Sequence, residues 1–228
     1  MAQLEFPLYH GTCTLFLESI AQHGLGGWDP IKEWRVLECL HKLIPIAEKH
    51  RHRSLEITKL LATLEPMARQ VNAGLNFQHG AVYLSPSRFT AVRYATGKKK
   101  GSELISYTTS MLDELGRLDL EEVKQGLFQE FPELFRVLDI DAAPVMIQVA
   151  GLETHALLSE KGEAPEGNLA WIHDLQERFP DRWENLTQQA NFRLTRVVPV
   201  RQLTASLISV RQWQSHRIDY GLLPIGLV

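Results

Sequence analysis

The sequence predicts an α+β fold, and three observations carry that prediction. Short apolar, β-branched segments recur along the chain without a strict strand–helix alternation. Between them lie stretches with helical spacing of apolar residues, set apart from the strands rather than interleaved one for one. The chain of 228 residues is 44% hydrophobic and 22% charged, with no Gly-, Ser- or Pro-rich linker to divide it, which points to a single globular domain spanning residues 1–228.

The elements follow in order. Leu4 to His10 reads as a strand and Leu15 to His23 as a helix closed by Gly24. Pro30 opens a long helical stretch in which Val36, Leu40, Leu43, Ile44 and Ala47 share a face. A second helix follows Ser54, with Ile57, Leu60, Leu61, Leu64 and Val71 aligned, and the basic turn Lys49-His50-Arg51-His52-Arg53 joins the two. The pair makes a helical hairpin at about 30–73, an insertion into whatever the strands build. Strand character returns at Gly80 to Ser85. A helix from Ser87 to Ala95 follows, ending at Gly97 before three lysines. Leu104 to Thr108 reads as a weak strand or turn, and Met111 to Leu138 as helical and acidic. Pro144 to Ala150 is the clearest buried strand. Ala170 to Asn185 is helical, and Asn191 to Val198 and Ser206 to Arg211 are strands about a Pro199 turn.

Composition removes several classes of function. The net charge of -3 lacks the basic field of a dedicated nucleic-acid binder, although the basic turn and Lys98 to Lys100 leave room for a local phosphate-attracting rim. More often such runs are solvated surface. Two cysteines, Cys13 and Cys39, make neither a zinc motif nor a disulfide framework, so no metal is expected. No apolar run reaches the ~18 residues of a membrane span, and the first residues lack a basic region followed by an apolar one. The expectation is a cytoplasmic chain with no membrane partner; an effector delivered without a signal peptide would read the same.

Two segments carry chemistry. In Tyr9-His10-Gly11-Thr12 an imidazole stands beside a residue without a side chain, so a planar amide could approach and pair with the Gly11 backbone N–H and C=O. A carboxamide such as nicotinamide fits that receptor. In "GAVYLSPSRFTAVRYA", Tyr83 lies on a strand and Tyr94 on the helix after it, eleven residues apart. A helix doubling back over its strand could close both rings on one flat ligand. The plainer account makes His10 a structural residue and both tyrosines core residues with satisfied hydroxyls.

Together these segments resemble the ADP-ribosyltransferase superfamily, and most of all its histidine–tyrosine–glutamate branch, which contains diphtheria toxin and the poly(ADP-ribose) polymerases. Tyr9-His10-Gly11-Thr12, the helix ending in His23-Gly24-Leu25, Gly80-Ala81-Val82-Tyr83-Leu84-Ser85 and Ala91-Val92-Arg93-Tyr94-Ala95 carry the likeness, with the tyrosine spacing. The resemblance implies a split β-sheet core and NAD as co-substrate. His10 would bond the nicotinamide-side ribose, Gly11 would hold the carboxamide, Tyr83 and Tyr94 would sandwich the nicotinamide, and Thr12 and Ser85 would support the site. ADP-ribose would pass to a protein or nucleic-acid acceptor with release of nicotinamide. A toxin or effector of this kind leaves room for a neutralising or regulatory partner protein.

The third residue of the branch, a glutamate on a late strand, is missing. Its aligned position is Asn191, and no glutamate lies between Asn185 and the C-terminus. An amide can bond a ribose hydroxyl but brings no full negative charge, and losing one such stabiliser slows a reaction by roughly 100-fold or more. Three readings stay open: an enzyme working with Asn191 in that place, an acid such as Glu184 or Glu153 arriving from another segment, and a non-catalytic nucleotide- or partner-binding domain. An RNA 2′-phosphotransferase shares the histidine-glycine strand and the V-x-LS strand, but usually carries a histidine where Tyr83 stands.

Overall fold

A computed structural model describes residues 3–69, 79–98, 100–118, 120–214 and 217–227. The chain is α+β, with two antiparallel sheets and helices set around them. Its contacts fall into two compact units: residues 1–28, 81–101 and 142–228 form the first, and residues 29–80 and 102–141 the second.

Among the described residues, the first unit holds every strand. β1 (Leu8–Cys13) leads into α1 (Leu17–His23), which ends at Gly24 with φ of +77°. β2 (Tyr83–Leu84) precedes α5 (Arg88–Gly97), β3 (Pro144–Val149), β4 (Leu157–Ser159), α9 (Glu166–Arg178), α10 (Trp183–Leu186), β5 (Phe192–Leu194), β6 (Leu203–Gln214) and β7 (Arg217–Ile225). One sheet runs β1-β3-β6-β7, the other β2-β5-β4.

The second unit is helical: α2 (Pro30–Glu33), α3 (Val36–His50), α4 (Leu55–Arg69), α6 (Glu103–Gly116), α7 (Glu121–Glu130) and α8 (Pro132–Leu138). Leu40 and Leu43 of α3, Ile57 and Leu64 of α4, and Ile105 and Met111 of α6 are all fully buried. The hairpin therefore shares its core with α6. The helix expected from Pro30 breaks at Trp34, where Arg35 takes a left-handed conformation, φ +52°. Val71 and Ala73, at the expected end of the hairpin, lie outside the described residues.

Several expected boundaries move for identifiable reasons. Leu104 to Thr108 is not a strand or turn but the first part of α6. Leu104, Ile105, Thr108, Thr109, Met111, Leu112 and Leu115 are buried at helical spacing, so one period runs through the whole segment. The strand expected over Leu4–His10 runs instead from Leu8 to Cys13, paired along its full length with β3, from Leu8 opposite Val149 to Cys13 opposite Pro144. His10 and Gly11 are thus mid-strand. Asn191 precedes β5, which is three residues long. β4 and β7 are strands that the pattern did not reveal: β4 is too short to show alternation, and β7 carries Gly221 and Pro224. Among the described residues, no helix is long and apolar enough to cross a membrane.

Candidate functional site

β1 is the outer strand of its sheet, and β2 the outer strand of the other. One bridge joins them: Tyr9 N–H donates to the Ser85 carbonyl and Ser85 N–H to the Tyr9 carbonyl, both at 2.8 Å. Ser85 is locked into this junction, its Oγ donating to the Ala190 carbonyl at 3.2 Å and accepting from Ser87 N–H. The latter bond turns the chain at Pro86 so that Ser87 can cap α5 by accepting from Thr90 N–H.

The ladder stops after that bridge. The next pair in an antiparallel register would be Gly11 with Tyr83, and no ladder joins β1 to β2 there. His10 takes its place: the Nδ1–H donates to the Tyr83 carbonyl at 2.9 Å, the acceptor a continued ladder would have used for Gly11 N–H. Gly11 N–H and C=O face this same edge, because backbone groups two residues apart point the same way and Tyr9 already uses that edge. Gly11 itself is buried and lies two residues past the isolated Tyr9–Ser85 bridge. A strand edge of this kind sets a donor and an acceptor side by side, the pattern that a ligand with one acceptor and one donor complements.

Gly11 also has a packing reason to be glycine. A Cβ there would stand 2.1 Å from the Ala91 carbonyl oxygen and 2.9 Å from Ala95 N, so α5 lies directly on β1. Tyr9, Ala91, Val92, Ala95, Met146, Ile208 and Ile218 form the cluster under that helix. Directly opposed residues of an antiparallel pair share a face. Tyr9 and Ser85 therefore put Ser85, and with it Tyr83, on the α5 side. Tyr83 is half-buried, and Tyr94, on α5, is 38% exposed. His10 and Thr12 emanate from the opposite face. Thr12 is buried across from Val145 within the sheet.

The α5 side of the three-stranded sheet stays partly open. Tyr83 opposes Arg193, and Arg193 opposes Leu158, all three half-buried, whereas Leu84, Phe192 and Leu157 on the other face are fully buried. Two residues before Arg193, Asn191 shares its face and is half-buried. Its Nδ2 donates to Glu160 Oε2 at 3.2 Å. The two other acids considered from sequence are engaged elsewhere. Glu184 takes Arg88 through both oxygens, 2.8 to 3.2 Å, and the guanidinium of Arg88 lies 5.7 Å from the Tyr9 ring centre. Glu153 takes Arg196 at 2.6 Å, which holds its carboxyl below the ordinary range. Arg193 and Glu160 were not singled out from sequence. Arg193 is legible in retrospect as the residue two after Asn191, but Glu160 follows a strand too short to read.

Burial lowers the pKa of His10 from 6.5, the bond to Tyr83 opposing this only in part. The neutral ring, with Nδ1 protonated, leaves Nε2 as an acceptor for a hydroxyl. Well above pH 6.5 the ring is neutral folded or unfolded. Below it, unfolding takes up a proton that the folded ring resists, so this residue's contribution to stability falls as pH falls toward its folded value. We expect urea denaturation midpoints of the wild type to drop more between pH 7.5 and 5.5 than those of His10→Gln. Equal drops would show that His10 does not titrate this way.

Burial raises the thiols of Cys13 and Cys39 to about 11 and about 12, so neither offers a thiolate near neutral pH. Among the described residues, no three His, Cys, Asp or Glu side chains gather where a metal ion could be held. No protein-family model matches the chain, and no curated protein or solved structure matches it either.

Proposed function

We propose that the chain is an NAD-dependent ADP-ribosyltransferase acting from the junction of its two sheets. The observation that supports this best is the isolated Tyr9–Ser85 bridge, beyond which the His10 ring meets the Tyr83 carbonyl. At that edge Gly11 turns an N–H and a C=O side by side, the pattern that a carboxamide complements, with an aromatic residue on each flanking element. In this reading the nicotinamide amide pairs with Gly11 and its ring lies between Tyr83 and Tyr94. His10 Nε2 accepts from a hydroxyl of the adjoining ribose, and Asn191 Oδ1 bonds the ribose from the other side. Arg193 brings a guanidinium to the same face as Tyr83, a partner for the diphosphate. ADP-ribose is then transferred to a macromolecular acceptor, protein or nucleic acid.

The test is incubation with NAD alone and with candidate acceptors, following free nicotinamide and labelled acceptor. Release that requires an acceptor supports transfer; release without one indicates hydrolysis of NAD. Absence of both release and binding would remove NAD from the account and leave a partner-binding domain of the same fold. The aromatic contacts can be weighed separately. Tyr94 is already partly exposed, so Tyr94→Ala should alter the melting temperature little while weakening NAD binding by up to about tenfold, the value of one aromatic stacking contact. Calorimetric titration reads this directly. Unchanged affinity would place the ring outside the site.

A further inference from the structure

The proposed reaction asks for negative charge beside the ribose, and the aligned residue is an amide. We propose that Glu160 is a positioning residue that makes the Asn191 amide serve in that role; the inference rests on the NAD reading above. Continuing the registers of β2 with β5 and of β4 with β5 by one residue sets Ser85, Asn191 and Glu160 in one row across the sheet, all on the α5 side. The row next to it is Tyr83, Arg193 and Leu158. Asn191 thus stands between the bridge to Tyr9 and the carboxylate, and its Nδ2 is the group turned to Glu160, 3.2 Å away.

That bond has a chemical consequence. With Nδ2 committed to the carboxylate, Oδ1 is turned away from it as an acceptor, as a carboxylate oxygen would be. An ionised acceptor makes a stronger bond than a neutral one and polarises the amide, adding electron density to Oδ1. Glu160 also adds a full negative charge one side chain away. In the step itself the bond between ribose C1′ and the pyridinium nitrogen breaks. Its electron pair stays on nitrogen, giving neutral nicotinamide, and the positive charge passes to the ribose as an oxocarbenium ion. The acceptor nucleophile then bonds C1′ and loses its proton to solvent. The glutamate–asparagine pair stabilises the charge that moves to the ribose, splitting between two strands what one glutamate would do alone.

Glu160 is exposed, so its replacement should leave folding intact. Glu160→Gln keeps the shape but can donate to Asn191 Oδ1 and turn the amide over. We expect it to lower kcat for nicotinamide release about 100-fold with NAD affinity changed only a few-fold. Adding Asn191→Glu to Glu160→Gln should recover most of that rate, since the charge returns at the neighbouring position. Asn191→Glu alone should turn over more slowly than the double variant, because two carboxylates then face each other. A wild type that turns over NAD and a Glu160→Gln variant that matches it would overturn the role of Glu160 and leave the NAD reading standing. Parallel loss of melting temperature and affinity in Glu160→Gln, or failure of the double variant to recover, would make Glu160 structural. A wild type that does not bind NAD would take this inference down with the reading beneath it.

Discussion

Gly11→Ala is expected to destabilise the protein by about 3 kcal/mol or more, the upper part of the range for overpacking a core. The added methyl would lie 2.1 Å from the Ala91 carbonyl oxygen, 2.9 Å from Ala95 N and 3.0 Å from Ala91 C. All three are backbone atoms of a regular helix and cannot move by a rotamer change. Relief requires α5 to lift off β1, and α5 is the element that covers Tyr9, Met146 and Ile208. Gly97, on the same helix, is the control: a Cβ there meets nothing within 4 Å, so Gly97→Ala should be neutral or mildly stabilising. Chemical denaturation of both variants measures the contrast. If Gly11→Ala is no worse than Gly97→Ala, α5 does not sit on β1 as described, and the packing reason for this glycine is wrong.

His10→Ala should have the larger effect on function and a smaller one on stability. The imidazole does two things at the junction. It holds the Tyr83 carbonyl at 2.9 Å, keeping the two sheets bonded where the ladder has ended, and with Nδ1 so engaged its Nε2 is the ring's acceptor. Loss of that hydrogen bond costs about 0.5–1.5 kcal/mol, and the stranded carbonyl adds a similar amount where it is buried. In the proposed NAD reading, loss of this acceptor for the ribose should reduce nicotinamide release by about 100-fold. His10→Asn is the informative companion, because its amide can still donate to the Tyr83 carbonyl while the second ring nitrogen is gone. Stability rescued without activity would separate the two duties. Full activity in His10→Ala would remove the histidine from the site.

What could be read from the residues was local. The apolar segments and helical periods predicted an α+β chain, and the residue types of the candidate site stood out because imidazole, glycine and paired aromatics are chemically conspicuous. Tyr94 fell on a helix and Tyr83 on a strand as expected, since β2, the Ser87 cap and α5 are all set by neighbours in sequence.

The rest depended on pairing between distant segments. The glycine at position 11 invited a single explanation, close approach of a ligand. The folded chain gives it a second, because α5 from eighty residues downstream rests on it. Leu104 to Thr108 looked like a weak strand or turn until the buried face it shares with Met111 and Leu115 joined it to one helix. Of the carboxylates considered, Glu184 and Glu153 proved to be held by Arg88 and Arg196, and Glu160, passed over, meets Asn191. None of these pairings has a signature along the chain. Register in a sheet is fixed by hydrogen bonds between segments tens of residues apart, and a side chain's partner is fixed by register. The sequence by itself thus determined which chemical groups are present and which short elements carry them. Only the tertiary structure decided which edges stay unpaired and which acid stands beside the asparagine.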